Sequence, residues 1–261
     1  MWPIRDATGR PGEYNMKLPL LLSVPHTGLE IPDEVKEICL LTEQEIQEDS
    51  DEEADEIYFP LQTHVAGFVT TPVARAVIDM NRDIKDRRKD GIVKTHTCWN
   101  KRIYSEPLSK KQVRKLIDEY YVPYHEKLMK LSAGAVLGVD CHTMAALGPP
   151  VGPDPWKRRP YICLSNGGGT CPEETLMTLA LYLEEVFGFP VSVNKPFKGG
   201  YIIKKHAPEL PWIQVEFSRA GFMDNADKSS RLYSALKRWL ARLDVATTGF
   251  AKRRHLRKLP A

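Results

Sequence analysis

Apolar positions along the chain fall into two kinds of run. Leu18–Val24, Gly67–Pro72, Ala74–Met80, Ala135–Val139, Tyr161–Ser165, Val191–Val193 and Trp212–Phe217 are short and bounded by Pro, Gly or polar clusters, which predicts strands. Several are too continuously apolar to alternate, so they read as strands covered on both faces. Between them the spacing turns helical. Leu108–Leu131 carries Val113, Leu116, Ile117, Tyr120 and Tyr121 on one face, with Pro123 predicted to kink it. Helices are likewise predicted over Pro172–Phe187 and Lys228–Val245, and a short one at Pro32–Ile38. Thr42-Glu43-Gln44-Glu45 is a capping box that should start a helix near Glu43, and Thr170–Glu173 is a second capping signature. Strands alternating with helices predict one layered α/β domain, spanning 1–261, with a mixed or parallel sheet. An irregular arm precedes it at 1–16 and a basic tail, 247–261, follows it.

Composition narrows the class. The 261 residues are 42% hydrophobic and 27% charged, as in an ordinary soluble globular protein. The net charge of +3 does not by itself imply a nucleic-acid partner. The 5 cysteines are scattered with no CxxC pair, which argues against a disulfide framework and for a reducing, cytoplasmic compartment. No run approaches a membrane span, and the first residues hold no apolar segment of a signal peptide.

The chemistry gathers where apolar strands stop. The central run ends in Asp140-Cys141-His142-Thr143, and Leu18–Val24 ends in Pro25-His26-Thr27-Gly28. Open α/β sheets bind ligands at strand ends. Asp140 and His142, two apart, share one side of an extended chain, while Cys141 points to the other. An imidazole beside a carboxylate is an oriented metal ligand or a general base. Acids crowd Glu43–Tyr58. Within it Asp51 and Asp55 stand four apart on one predicted helix face, and either offers an oxygen ligand. Arg75 and Asp79 flank the apolar middle of Ala74–Met80, and Arg82 follows the run. Arg75 either forks onto a substrate carboxylate or bridges to Asp79 or Asp83. Glu216 sits inside an apolar strand, where a carboxylate must be paired, protonated or catalytic. Gly199 and Gly200 allow a close backbone approach or a hinge.

Two imidazoles and a carboxylate leave an open coordination position, as in catalytic Zn²⁺ sites. With Glu216 as proton carrier and arginines for an anionic substrate, the set reads as a metallohydrolase. The rival is a non-catalytic binder of anions or nucleic acid using Lys85–Lys89 and Lys252–Lys258.

The runs SVPHTG (Ser23–Gly28), VIDMNRD (Val77–Asp83), VPYHEKL (Val122–Leu128), DCHTM (Asp140–Met144), NKPFKGGYI (Asn194–Ile202) and VEFSR (Val215–Arg219), with the Asp51 region leading to Ile57-Tyr58, occur in the order seen in the N-formylglutamate amidohydrolase family. Over roughly residues 18–225 the chain resembles that family. The resemblance implies a phosphorylase/hydrolase-like, zinc carboxypeptidase-like three-layer sandwich with a mixed sheet. It implies Zn²⁺ held by His26, His142 and an acid between them, placed on Asp51 with Asp55 and Glu30 as alternatives. It implies Glu216 as the base and Asn81-Arg82, helped by Arg75 or Arg219, as anchor for a small anionic N-acyl amino acid. Asp140, Thr143, Gly199 and Gly200 would support the site. N-formylglutamate, cleaved to glutamate and formate, is the first substrate implied; another N-acyl amino acid or a peptide C-terminus is the alternative. The family usually has serine at the Thr143 position and often tryptophan where this chain has Glu52.

Overall fold

The structure is a computed structural model that describes residues 17–256, with side chains through residue 243. The arm at 1–16 and the side chains of the basic tail lie outside the described residues. In chain order the elements are β1 (Leu18–Val24), α1 (Asp33–Lys36), α2 (Glu43–Asp49), α3 (Ala54–Tyr58), β2 (Val65–Thr70), α4 (Lys110–Leu116), α5 (Val122–Ser132), β3 (Leu137–Met144), β4 (Ile162–Ser165), α6 (Glu173–Phe187), β5 (Val191–Val193), α7 (Tyr201–Lys205), β6 (Trp212–Ser218) and α8 (Asn225–Leu256). No helix among the described residues is long and apolar enough to cross a membrane.

The six strands form one sheet in the order β2-β1-β3-β6-β4-β5. Neighbours are parallel except β4 and β6, which run antiparallel, so the sheet is mixed. Strand alternation divides the core in two. Leu20, Leu22, Val139, Cys141, Ile213, Val215 and Phe217 pack on one face with residues of α3, α6 and α8. Leu21 and Trp212 pack on the other face with residues of α4, α5 and α7. Helices thus cover both faces, giving the three layers expected. Gly138 admits the Trp212 ring, since a Cβ there would meet it at 2.3 Å.

Four expectations change. The central strand runs to Met144, so Asp140–Thr143 lies inside it, paired on β6, rather than beyond its end. Ala74–Met80 is not a strand. Val77 N and Ile78 N bond to Ala74 O, and Val73, Ala74, Val77, Ile78 and Met80 bury into the second core from consecutive turns. An apolar run of that length does not by itself distinguish strand from buried turn. The acidic helix breaks after Asp49. Ser50 N and Oγ both return to Gln47 O, and Glu53 adopts φ 67° before α3 starts. Asp51 and Asp55 therefore do not share a helix face. Thr170 does not cap α6; its hydroxyl lies between the carbonyls of Asn166 and Trp212, within hydrogen-bond distance of each, and the helix starts after Pro172 without a side-chain cap.

The Leu108–Leu131 helix forms as α4 and α5, joined by a π-turn at Ile117–Tyr121 just ahead of Pro123, where the missing N–H disturbs the ladder. The long loop before it is tied down by one buried clip. Asp49 accepts from Lys94 Nζ at 2.8 Å and from Cys98 N at 2.6 Å. Lys94 is 1% exposed.

Candidate active site

One face of β3 and β6 carries buried polar residues at consecutive even positions, Asp140 and His142 on β3 and Gln214, Glu216 and Ser218 on β6. Asp140 and His142 on β3 lie opposite Gln214 and Glu216 on β6, and Ser23 on β1 lies opposite Asp140. All are buried. The odd positions of the same strands fill the apolar core, so period-2 alternation turns one side chain in two toward this site.

His26 follows β1 at Pro25. Its Nε2 lies 2.8 Å from Asp79 Oδ1, and His142 Nε2 lies 2.8 Å from Asp140 Oδ2. Carboxylates accept, so each imidazole donates through Nε2 on that side and turns Nδ1 to the other. Both Nδ1 atoms face Asp51 Oδ2, at 3.3 Å from His26 and 2.7 Å from His142. The helix break after Asp49 turns Asp51 inward, and Asp51 N donates to His26 O at 3.0 Å. Ligand atoms of the three residues lie within 4.8 Å of one another, and all three are buried. The imidazole centroids are 4.9 Å apart.

The surrounding groups fix this geometry. Asn81 Nδ2 donates to Asp140 Oδ2 at 3.1 Å, while Asn81 Oδ1 accepts from Ile202 N at 2.8 Å. Ser23 donates to Asp140 Oδ1. Tyr58 donates to His142 O. Arg75 joins Asp51 Oδ1 at 3.3 Å to Asp79 Oδ2 at 3.2 Å.

Charge is strongly redistributed here. Burial opposes ionisation of Asp51, but His26 and His142 outweigh it and hold the carboxyl well below its usual range. Burial likewise opposes charge on Asp79 and loses to His26, Arg82 and Arg75. Burial alone would neutralise His142; Asp140 and Asp51 together raise its pKa well above the imidazole range instead. A divalent cation among these three groups would take the place of the protons that now lie between the Nδ1 atoms and Asp51. The Nε2 partners Asp79 and Asp140 supply the outer hydrogen bonds such ligands need. Zn²⁺ fits this N, N, O donor set.

Glu216 is the register partner of His142. Burial, above all, pushes its pKa up to about 7, and Asp51 adds to this against His142. Gln214 Nε2 donates to Glu216 Oε1 at 2.7 Å and Gln214 Oε1 accepts from Gly200 N. The cavity over these groups measures about 580 Å³.

Of the residues expected from sequence, His26, Asp51, Asn81, Arg75, Arg82, His142, Thr143, Gly199, Gly200, Glu216 and Arg219 all line that cavity. Asp140 sits beneath His142. Asp55 and Glu30, the alternative acidic ligands, are exposed and outside the group. Asn81 touches Asp140, and its amide is committed within the protein. Arg75 is spent on Asp51 and Asp79, so the bridge to Asp79 does form, between a half-buried guanidinium and a buried carboxylate. Arg219 Nη1 binds Glu52 Oε1 at 2.5 Å and reaches Ser50 O at 3.4 Å. Thr143 donates to Glu52 O. Arg82 binds Asp90 through Nε and Nη2, and its Nη1 has no partner among the described residues. Gly200 is required by space: a Cβ would meet Asn81 Nδ2 at 2.3 Å. Sequence reasoning missed Asp79 as partner of His26, and Gln214, Trp99 and Arg159 in the cavity wall. Asp79 carried the same signal as Glu216, an acid within an apolar run.

Residues 18–223 match the family model described as N-formylglutamate amidohydrolase. The chain belongs to that family. A curated relative, the N-formylglutamate deformylase of Pseudomonas putida, is 24% identical over 227 residues, covering 81% of this chain and 84% of that protein. Among solved structures, an N-formylglutamate amidohydrolase from Ralstonia eutropha JMP134 shares the fold with a TM-score of 0.64 at 21% identity, covering 91% and 95% of the two chains. The gene product Atu2144 from Agrobacterium tumefaciens aligns with a TM-score of 0.70 at 17% identity, covering 87% and 91%. The family's amidohydrolase fold is therefore this chain's fold.

Proposed function

We propose that the protein is a zinc-dependent amidohydrolase that cleaves the N-formyl amide of N-formylglutamate to formate and glutamate. The observation that carries this reading is the convergence of His26 Nδ1, Asp51 and His142 Nδ1 within 4.8 Å, with Glu216 opposite His142 on the next strand. The name of the Pseudomonas putida relative supplies the substrate.

His26, Asp51 and His142 would hold the ion. When bound, zinc supplies a Lewis acid that polarises the amide carbonyl and lowers the pKa of water. Glu216 accepts the proton of the attacking water and delivers it to the nitrogen of the leaving glutamate. Its burial keeps it basic enough to take the proton, and Gln214 holds one of its oxygens still. Arg82 offers its free Nη1 to a substrate carboxylate, with Arg88 and Lys198 lining the same cavity. Arg75 serves the site by holding Asp51 and Asp79 rather than the substrate. All five cysteines are free thiols, which suits a reducing, cytoplasmic setting.

The test is metal content and turnover together. Purified protein should carry close to one zinc per chain, release glutamate from N-formylglutamate, lose activity to a chelator and regain it with zinc. Full activity after complete metal removal would discard the reading.

A further inference from the structure

The cavity is larger than a formyl substrate needs. About 580 Å³ corresponds to ~19 waters at ~30 Å³ each, whereas N-formylglutamate has about a dozen non-hydrogen atoms. The cavity has a mixed lining, with many charged residues and one apolar set among them. Trp99, Met144, Pro149, Val151, Pro153 and Phe197 line it with apolar surface.

This wall is built from three separate segments and each is fastened. Trp99 Nε1 donates to Glu48 O at 3.0 Å. Val151 N donates to Cys98 O at 3.1 Å, stitching the loop after β3 to the loop that carries Trp99. The Arg159 guanidinium lies 4.8 Å above the Phe197 ring centroid, and Arg159 is itself gripped by Asp154 through two hydrogen bonds at 2.9 and 2.7 Å. Arg159 is 8% exposed, so this grip is an interior one. Apolar surface held in place beside a few convergent polar groups is the usual make-up of a selective small-molecule site. Preorganised walls also lower the ordering cost of binding.

The wall bears on which end of the amide it receives. On the proposed function, the cations Arg82, Arg88 and Lys198 take the carboxylates of the amino acid. The acyl group is then what remains to meet the apolar wall. A formyl group has a single carbon and leaves most of that surface untouched.

We propose that the acyl-side pocket of this enzyme is formed by Trp99, Val151 and Phe197, and that its substrates are N-acyl acidic amino acids whose acyl group is a short alkyl chain or a ring rather than formyl alone. This rests on the hydrolase reading above, keeps its catalytic residues and acidic amino acid, and changes the preferred acyl group.

The experiment compares N-formyl-, N-acetyl-, N-butanoyl- and N-benzoylglutamate with the zinc-loaded full chain. The expected result is a kcat/KM at least tenfold higher for the butanoyl or benzoyl compound than for the formyl one, because one methylene in an apolar pocket is worth 10–200-fold. Val151→Trp, which fills the wall, should lower that ratio at least tenfold. Binding to Glu216→Gln, followed by calorimetry, should show the same order of affinities without turnover. A highest kcat/KM for N-formylglutamate, or equal binding of all four, would overturn the inference while leaving the hydrolase reading intact. No hydrolysis of any compound, with the binding order retained, would discard the hydrolase reading and leave the acyl-side pocket standing. A folded Val151→Trp, judged by its circular dichroism, with an unchanged ratio would also overturn it.

Discussion

His26 Nε2 stands 2.8 Å from Asp79 Oδ1, and this one contact decides which nitrogen of the ring faces the site. The same arrangement recurs at His142 with Asp140. Asp79→Asn and Asp140→Asn should each weaken zinc binding about 10–100-fold, the usual effect of losing such a partner. Competition with a chromophoric chelator measures this directly. Unchanged affinity in both variants would mean that the rings are held in place by packing alone.

Glu216→Gln should lower kcat by about 10²–10⁴ while leaving zinc bound. The same change should stabilise the metal-free protein at neutral and alkaline pH. Glu216 is raised from 4.5 to about 7 in the folded chain. A raised carboxyl pKa favours the folded state below about 4.5; that advantage shrinks as pH rises and is gone above about 7. The wild type minus variant difference should therefore grow over this window toward ~3 kcal/mol at most. Denaturant titrations of the metal-free proteins at pH 5 and pH 8 provide the check. A constant difference across pH would show that Glu216 is not buried as a neutral acid.

Gly200→Ala should damage catalysis without touching a titratable group. The new Cβ falls 2.3 Å from Asn81 Nδ2, and Asn81 steadies Asp140. Relief of such overpacking costs about 1–3 kcal/mol and must move either Asn81 or the start of α7. The variant should show a lower melting temperature together with weaker zinc retention. Normal zinc affinity in a destabilised Gly200→Ala would sever the link from Asn81 to the metal group.

Arg219 holds the residues on both sides of Asp51, through Ser50 O and Glu52 Oε1. Arg219→Ala should loosen that segment and cost about tenfold in zinc affinity, with Arg219→Lys recovering part of it through the Glu52 contact. A rise in KM alone, with zinc affinity unchanged, would reassign Arg219 to direct substrate binding.

Much of the layout was legible in the sequence because strand signals are local. Leu18–Val24 and Val191–Val193 were read with their observed bounds, and the two histidines stood out by following apolar runs. What escaped was set by tertiary context. The turns of Ala74–Met80 look like a strand because burial in a core makes any backbone apolar. The break at Ser50 has no proline or glycine to announce it, so the inward turn of Asp51 came from the family resemblance and not from helical spacing. The sequence offers Asp79 only as one ion-pair partner for Arg75, because nothing local tells a buried acid from an exposed one. The arginines were read as substrate ligands, but most are engaged by acids from distant segments, which no spacing rule reveals.

Strand β3 serves core and chemistry at once, its odd residues in one apolar cluster and its even residues in the polar row. Sliding it by a single residue past β6 would drive Asp140 and His142 into the hydrocarbon layer and Cys141 into the polar one. Mispaired chains would keep His26 beside Asp51 but lose His142, and with it the third donor of the group. On the proposed function, zinc retained per chain should then report strand alignment in a refolding assay that needs no substrate.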